Sequence, residues 1–120
     1  MNEAHEDGCF ATFIAATTSG LEIQDTSGAF IPVLPTPDKL LIIPGDILSL
    51  LSGGTIRPAL HRVARHADTP DRMSLLFFAD LEPSRCRPWI SNDINADIDF
   101  AERIRTNPLR FGLSEWCVDD

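Results

Sequence analysis

The residues of this chain best suited to chemistry are His5, Asp7, His61, Arg72 and Ser74. If residues 5–8 run extended, side chains two apart leave the backbone on one face, so His5 and Asp7 point at one spot while Glu6 points away. That is half of a metal site. A second imidazole completes a facial set of two histidines and one carboxylate, which suits octahedral Fe(II) with positions left open, and His61 is the candidate. Arg72 and Ser74 repeat the two-apart spacing and would offer a guanidinium and a hydroxyl to a carboxylate. Each residue also has a plainer reading. A single histidine in a β-rich chain is commonly structural, His66 suits an exposed polar loop with Asp68 and Pro70, and Arg72 could pair with an internal aspartate instead of a ligand.

The elements that must position these groups read mostly as strands. Residues 1–4 are too short to form an element, and residues 10–15 are β-compatible. Leu21–Gln24 alternates apolar and polar with period two. Residues 25–28 then read as a hairpin turn, and residues 30–33 as a return strand whose Pro32 marks an edge. Pro35 and Pro37 stiffen the connection to residues 40–43, an all-apolar run that predicts a buried strand ending at the Pro44-Gly45-Asp46 turn. Residues 47–51 fit either a strand or a helical turn. Alternation along residues 55–63 puts Ala59, His61 and Val63 on one inner face, and along residues 72–78 puts Arg72, Ser74, Leu76 and Phe78 together. An arginine on that apolar face needs an anion. Residues 83–88 predict an irregular connection. Residues 97–106 predict a helix with Ile98, Ala101 and Ile104 at helical spacing, an acidic start, a basic end and Pro108 as its stop. Trp89 and Trp116 are expected to pack this segment onto the sheet, before a frayed acidic tail at Asp119 and Asp120.

With 120 residues, this reads as one domain. Ten basic against 18 acidic side chains give a net charge of −8, which argues against a nucleic-acid surface, because counterion release needs clustered Lys and Arg. No apolar run approaches the roughly 20 residues that span a bilayer, and no basic-then-apolar leader opens the chain. The expectation is a soluble cytoplasmic protein with no membrane partner. Cys9, Cys86 and Cys117 show neither a disulfide framework nor zinc spacing. Cys9 lies near the candidate metal residues and reads as an inert buried thiol, with oxidation there as the alternative.

Taken together, His5-Glu6-Asp7, His61 and Arg72-Met73-Ser74 resemble the iron(II)/2-oxoglutarate-dependent dioxygenases, in particular the isopenicillin N synthase-like branch. Gly20-Leu21-Glu22-Ile23, Phe30, Pro35, the apolar run at 40–43 and Gly45-Asp46 are similar to that family's intervening strands and turns. Gly53-Gly54 departs from its Asn-Gly at the first position. The resemblance covers about residues 5 to 83. It implies an all-β antiparallel jelly roll, or double-stranded β-helix, over residues 1–90, incomplete at its N-terminus, with a C-terminal helix and acidic tail over residues 91–120. It also implies Fe(II) held by His5, Asp7 and His61, with open positions for 2-oxoglutarate and O2. Arg72 and Ser74 would take the distal carboxylate of 2-oxoglutarate, and no catalytic residue is implied beyond the metal site. The implied reaction oxidises a C–H bond of a small organic substrate, with decarboxylation to succinate.

Two other readings stand beside it: an Fe(II) oxidase that does not use 2-oxoglutarate, and a truncated, non-catalytic jelly-roll fragment or interaction module. The long region that precedes the His-x-Asp triplet in the family is not present in these 120 residues, and the chain contains no Tyr to match the one often found there. Sheet edges near residues 5 to 15 would then stand open, to be covered by another copy, a partner or a missing segment.

Overall fold

Period-two alternation decides which face each strand turns inward, and in this computed structural model it builds two antiparallel sheets; residues 2–64, 68, 71–82, 85–89 and 97–111 are described. One sheet has the order β1-β6-β3-β4, made of Asn2–His5, His61–Val63, Leu21–Gln24 and Phe30–Pro32. The other has the order β5-β2-β7, made of Leu41–Pro44, Ala11–Ala16 and Ser74–Ala79. Between them lies a core of Ile14, Leu21 and Ile43, with Ile23, Val33, Leu41, Ala59 and Val63 packed against it. Each fully buried aliphatic side chain there contributes about 1.5–3 kcal/mol relative to exposure.

Several expectations meet their competing physics here. Residues 2–4 do form an element, because β1 finds a partner in β6, with Asn2 opposite Val63 and His5 opposite His61. The extended run expected over 5–8 stops at His5, and the chain bends at Gly8, Cys9 and Phe10. The run at 40–43 is not buried throughout. Leu40 is 53% and Ile42 56% exposed, while Ile43 is buried, because β5 is a sheet edge and turns only one face to the core. Residues 47–51 resolve as helix α1, Asp46–Leu51. Ile47 and Leu51 stand four apart on one face and pack with Ile98 and Phe100. The helix ends where Gly53 adopts φ 63°, a left-handed position suited to glycine.

The second helix begins later than its apolar spacing predicts. Helix α2 is Phe100–Thr106, because Asp99 caps it by accepting from the Glu102 N–H at 3.0 Å. Ile98 instead belongs to a short strand, β9 (Ile98–Asp99), paired with β8 (Arg85–Cys86) inside the stretch expected to be irregular. Phe100 and Ile98, rather than Ala101, are buried, and a 3-10 turn, Pro108–Phe111, follows. Trp89 is largely exposed, although its ring meets Phe10 edge-on at 6.4 Å. Asp25 organises the expected hairpin turn, its carboxylate accepting from the Ser27 and Ala29 N–H groups. His66, Pro70, Pro83, Trp116, Cys117 and the acidic tail lie outside the described residues.

Strand β7 begins at Ser74, so Arg72 precedes the ladder. It forms the edge of its sheet, and both of its faces are apolar and open: Leu75 is 76% and Phe77 67% exposed, with Met73, Leu76 and Phe78 exposed beside them. Among the described residues, no helix is long and apolar enough to cross a membrane. Because Ile47 is wholly buried between α1 and the β9–α2 segment, Ile47→Ala is expected to lower unfolding stability by about 2–5 kcal/mol, read as a fall in the urea midpoint at unchanged slope.

Candidate metal centre

Asp7 lies in the bend between β1 and β2, and that bend is tied down by backbone hydrogen bonds from distant segments. The opening N–H groups of α1 have no partners within the helix. They are supplied by this bend: Asp46 N–H donates to the Asp7 carbonyl (2.8 Å), Ile47 N–H to that of Cys9 (3.3 Å), and Gly45 N–H to that of Phe10 (3.0 Å). Gly8 N–H donates to the Arg110 carbonyl at 2.8 Å, and Phe10 N–H to that of Ala79 at 3.1 Å. Two glycines permit this crowding. A Cβ on Gly8 would press on the Arg110 backbone, and one on Gly45 would collide with the Cys9 carbonyl. Side chains reinforce the clamp, since Arg110 pairs with Glu6 at 3.0 Å and Arg103 pairs with Asp46.

His5 and His61 face each other directly across β1 and β6, with ring centroids 4.4 Å apart. In each ring Nδ1 lies against a backbone carbonyl, of Glu3 at 2.9 Å and of Ala59 at 2.8 Å. A carbonyl only accepts, so Nδ1 carries a proton in each ring and Nε2 is the nitrogen left for a metal. Both Nε2 atoms look at one oxygen of Asp7: Oδ1 is 3.5 Å from His5 and 3.8 Å from His61. The three ligand atoms all lie within 4.8 Å of one another. Three lone-pair donors aimed at one point, two of them from buried residues, form a donor set that a divalent cation completes, and two imidazoles with one carboxylate suit iron.

Arg72 stands at the edge of a separate hollow. A cavity of about 270 Å³ is lined by Ile14, Leu21, Val33, Leu41 and Arg72, among others, and so shares walls with the core that Ala59 and Val63 flank on either side of His61. Arg72 Nη1 donates to Ser74 Oγ at 3.3 Å, and its buried Nε has no hydrogen-bond partner among the described residues. Among the described residues no carboxylate pairs with it. A buried guanidinium N–H without an acceptor is costly, and an anionic ligand would satisfy it.

Sequence reasoning names five residues of this region and misses the hydroxyl behind Asp7. Thr12 Oγ1 donates to Asp7 Oδ2 at 2.6 Å and lies 3.3 Å from Cys9 Sγ. Its signal is a polar residue on the inner face of β2, in phase with Ile14. Cys9 is buried as expected, and burial pushes its thiol pKa up.

A family model described as the 2OG-Fe(II) oxygenase superfamily matches residues 1–80. The chain is 36% identical over 81 residues to the 2-oxoglutarate-dependent dioxygenase citB of Monascus ruber, covering 66% of this chain and 24% of that protein. It is similar to the dioxygenase for auxin oxidation 1 of Arabidopsis thaliana, solved with 2-oxoglutarate, at a TM-score of 0.63 and 30% identity, covering 72% of this chain and 34% of that one. A full-length Neurospora crassa protein, solved with alpha-KG and thymine, shares the fold at a TM-score of 0.71 and 21% identity, covering 83% of this chain and 34% of that one. The two sheets are thus the antiparallel jelly roll of these oxygenases. The chain spans about a quarter of the length of the curated relative.

Gly45→Ala tests the clamp on the Asp7 bend. The added methyl must displace backbone at Cys9, so the substitution is expected to cost about 1–3 kcal/mol and to weaken divalent-metal binding, measured by thermal melting and by metal titration of the same sample.

Proposed function

Because this chain belongs to the 2OG-Fe(II) oxygenase superfamily, we propose that it carries the iron and oxoacid sites of a 2-oxoglutarate-dependent dioxygenase acting on a small organic substrate. The observation that carries this reading is the convergence of His5, Asp7 and His61 on one point. We assign these three as the Fe(II) ligands. Their Nδ1 bonds to the Glu3 and Ala59 carbonyls leave Nε2 as the nitrogen for the metal and fix the ring planes, as such partners do in metal sites. Arg72 is assigned to the distal carboxylate of 2-oxoglutarate, with the Ser74 hydroxyl beside it. Arg72 lines the cavity whose other walls are largely apolar, so its guanidinium is the cation there that an anionic ligand would meet along with Lys39.

Iron bound there would supply the redox chemistry: one O2 is consumed, 2-oxoglutarate loses CO2 to become succinate, and a substrate C–H becomes C–OH. The chain's own residues bind, orient and shield; no proton-transfer group is assigned. The isopenicillin N synthase-like branch, a core over residues 1–90 with a packed C-terminal segment over 91–120, and a cytoplasmic location complete the proposal and rest on the sequence motifs and composition.

Residues 11–16 are paired on both sides, so the cover expected over an open edge near residues 5 to 15 is not needed there; the open faces of β7 instead favour a partner surface that a second copy or another segment would cover. Phe77→Lys is expected to leave the melting temperature nearly unchanged, since Phe77 is 67% exposed, and to reduce self-association measured by sedimentation.

The site assignment is tested by anaerobic titration with Fe(II) and 2-oxoglutarate, following the visible charge-transfer band of the chelated complex. Wild type is expected to give the band and His61→Ala to lose it. Arg72→Ala is expected to weaken 2-oxoglutarate binding about 10- to 100-fold, the worth of a charged hydrogen bond of roughly 1.5–3 kcal/mol. A folded wild-type chain that binds Fe(II) without the band would support the oxidase reading, and one that binds no Fe(II) the non-catalytic module.

A further inference from the structure

The carboxylate of Asp7 divides its two oxygens between different tasks. Oδ1 faces Nε2 of both imidazoles. Oδ2 faces away and accepts the Thr12 hydroxyl at 2.6 Å, a short, charge-assisted bond. Thr12 is 0% exposed, and its ladder neighbours are Ile43 and Phe78, whose side chains offer it no hydrogen bond. A hydroxyl has one proton to give. With that proton on Asp7, the contact between Cys9 Sγ and Thr12 Oγ1 at 3.3 Å must run from thiol to hydroxyl. A one-way chain results: Cys9 S–H to Thr12 O–H to Asp7, each donor polarising the next.

We propose that Thr12 is a positioning residue of the metal centre: its hydroxyl occupies Oδ2, so that Asp7 offers Oδ1 alone to the metal and cannot rotate into a two-oxygen or outward arrangement. This rests on the assignment of His5, Asp7 and His61 as ligands. The consequence is a facial site with its remaining positions kept clear, because a carboxylate bound through both oxygens would take one of them. Nothing in the His-x-Asp spacing encodes this restraint. It comes from β2, where a threonine stands in phase with the core residue Ile14.

The test separates the hydroxyl from the methyl, using Co(II) as the probe because its visible bands report both affinity and coordination number. Thr12→Val keeps the shape and deletes the hydroxyl. It is expected to weaken Co(II) binding about 10- to 100-fold, the usual effect of losing a hydrogen bond to a metal ligand, and to change the intensity of the Co(II) bands. Thr12→Ser should bind within about threefold of wild type, whereas Thr12→Ala should fall with Thr12→Val. Serine and alanine both lack the methyl and differ in the hydroxyl, so that pair decides the matter even if the valine variant fails to fold. Equal affinity and equal spectra for the serine and alanine variants, or a folded valine variant indistinguishable from wild type, would overturn the inference while leaving the ligand assignment intact. A folded wild-type chain that binds no Co(II) would overturn both.

Discussion

Two imidazole nitrogens and a carboxylate oxygen are pointed at one spot, an arrangement that a cation among them completes. Everything around the site holds them there. The histidines are set opposite each other by the pairing of β1 with β6, and each ring is fixed by a backbone carbonyl. Asp7 has no strand to hold it, so the opening of α1, the end of β7 and the Arg110 backbone hold the bend instead. The desolvation of a buried carboxylate is offset by a full-strength donor in Thr12. The short helix α1 therefore serves two ends: it buries Ile47 and Leu51, and its uncapped N–H groups find their acceptors in the bend that bears Asp7.

The sequence makes the five proposed site residues legible because chemistry depends on residue type, and the two-apart spacing singles out His5 with Asp7 and Arg72 with Ser74. The route by which they converge is less legible. His5 and Asp7 meet across a bend rather than along a strand, since long-range backbone acceptors override local extension. The run at 40–43 and the start of α2 differ from expectation for similar reasons. Hydropathy alone does not tell an edge strand from a central one, and the Asp99 cap outranks the apolar spacing that begins at Ile98. Thr12 stays silent in sequence because a threonine in a β-compatible run is ordinary. Only the distance to Asp7 gives it a role.

Arg72 and β7 mark where the chain presents unfinished business to its surroundings. Among the described residues the guanidinium's buried N–H has no acceptor, and it lies beside a largely apolar cavity, which suits a small anion. The aromatic and aliphatic faces of β7 suit a much larger apolar surface. The first is a need of one hydrogen-bond donor and the second of a whole strand, so the two are separable in kind even though Arg72 and Leu76 are close neighbours in sequence.

The clamp on the Asp7 bend also governs the order in which this molecule can assemble. Its bonds reach from residues 6–10 to 45–47, 79 and 110, and the Glu6–Arg110 pair closes a loop of 104 residues. Closing loops of that length carries an entropic cost that must be met before any contact rewards it, and chains ruled by such non-local pairings fold slowly. The hairpin from β3 to β4 can form early and locally, whereas the full clamp on the bend bearing Asp7 waits for the last described turn of the chain. A nascent chain still short of residue 110 would hold both histidines and the ties from α1 and β7, and lack one of the anchors of the bend between them.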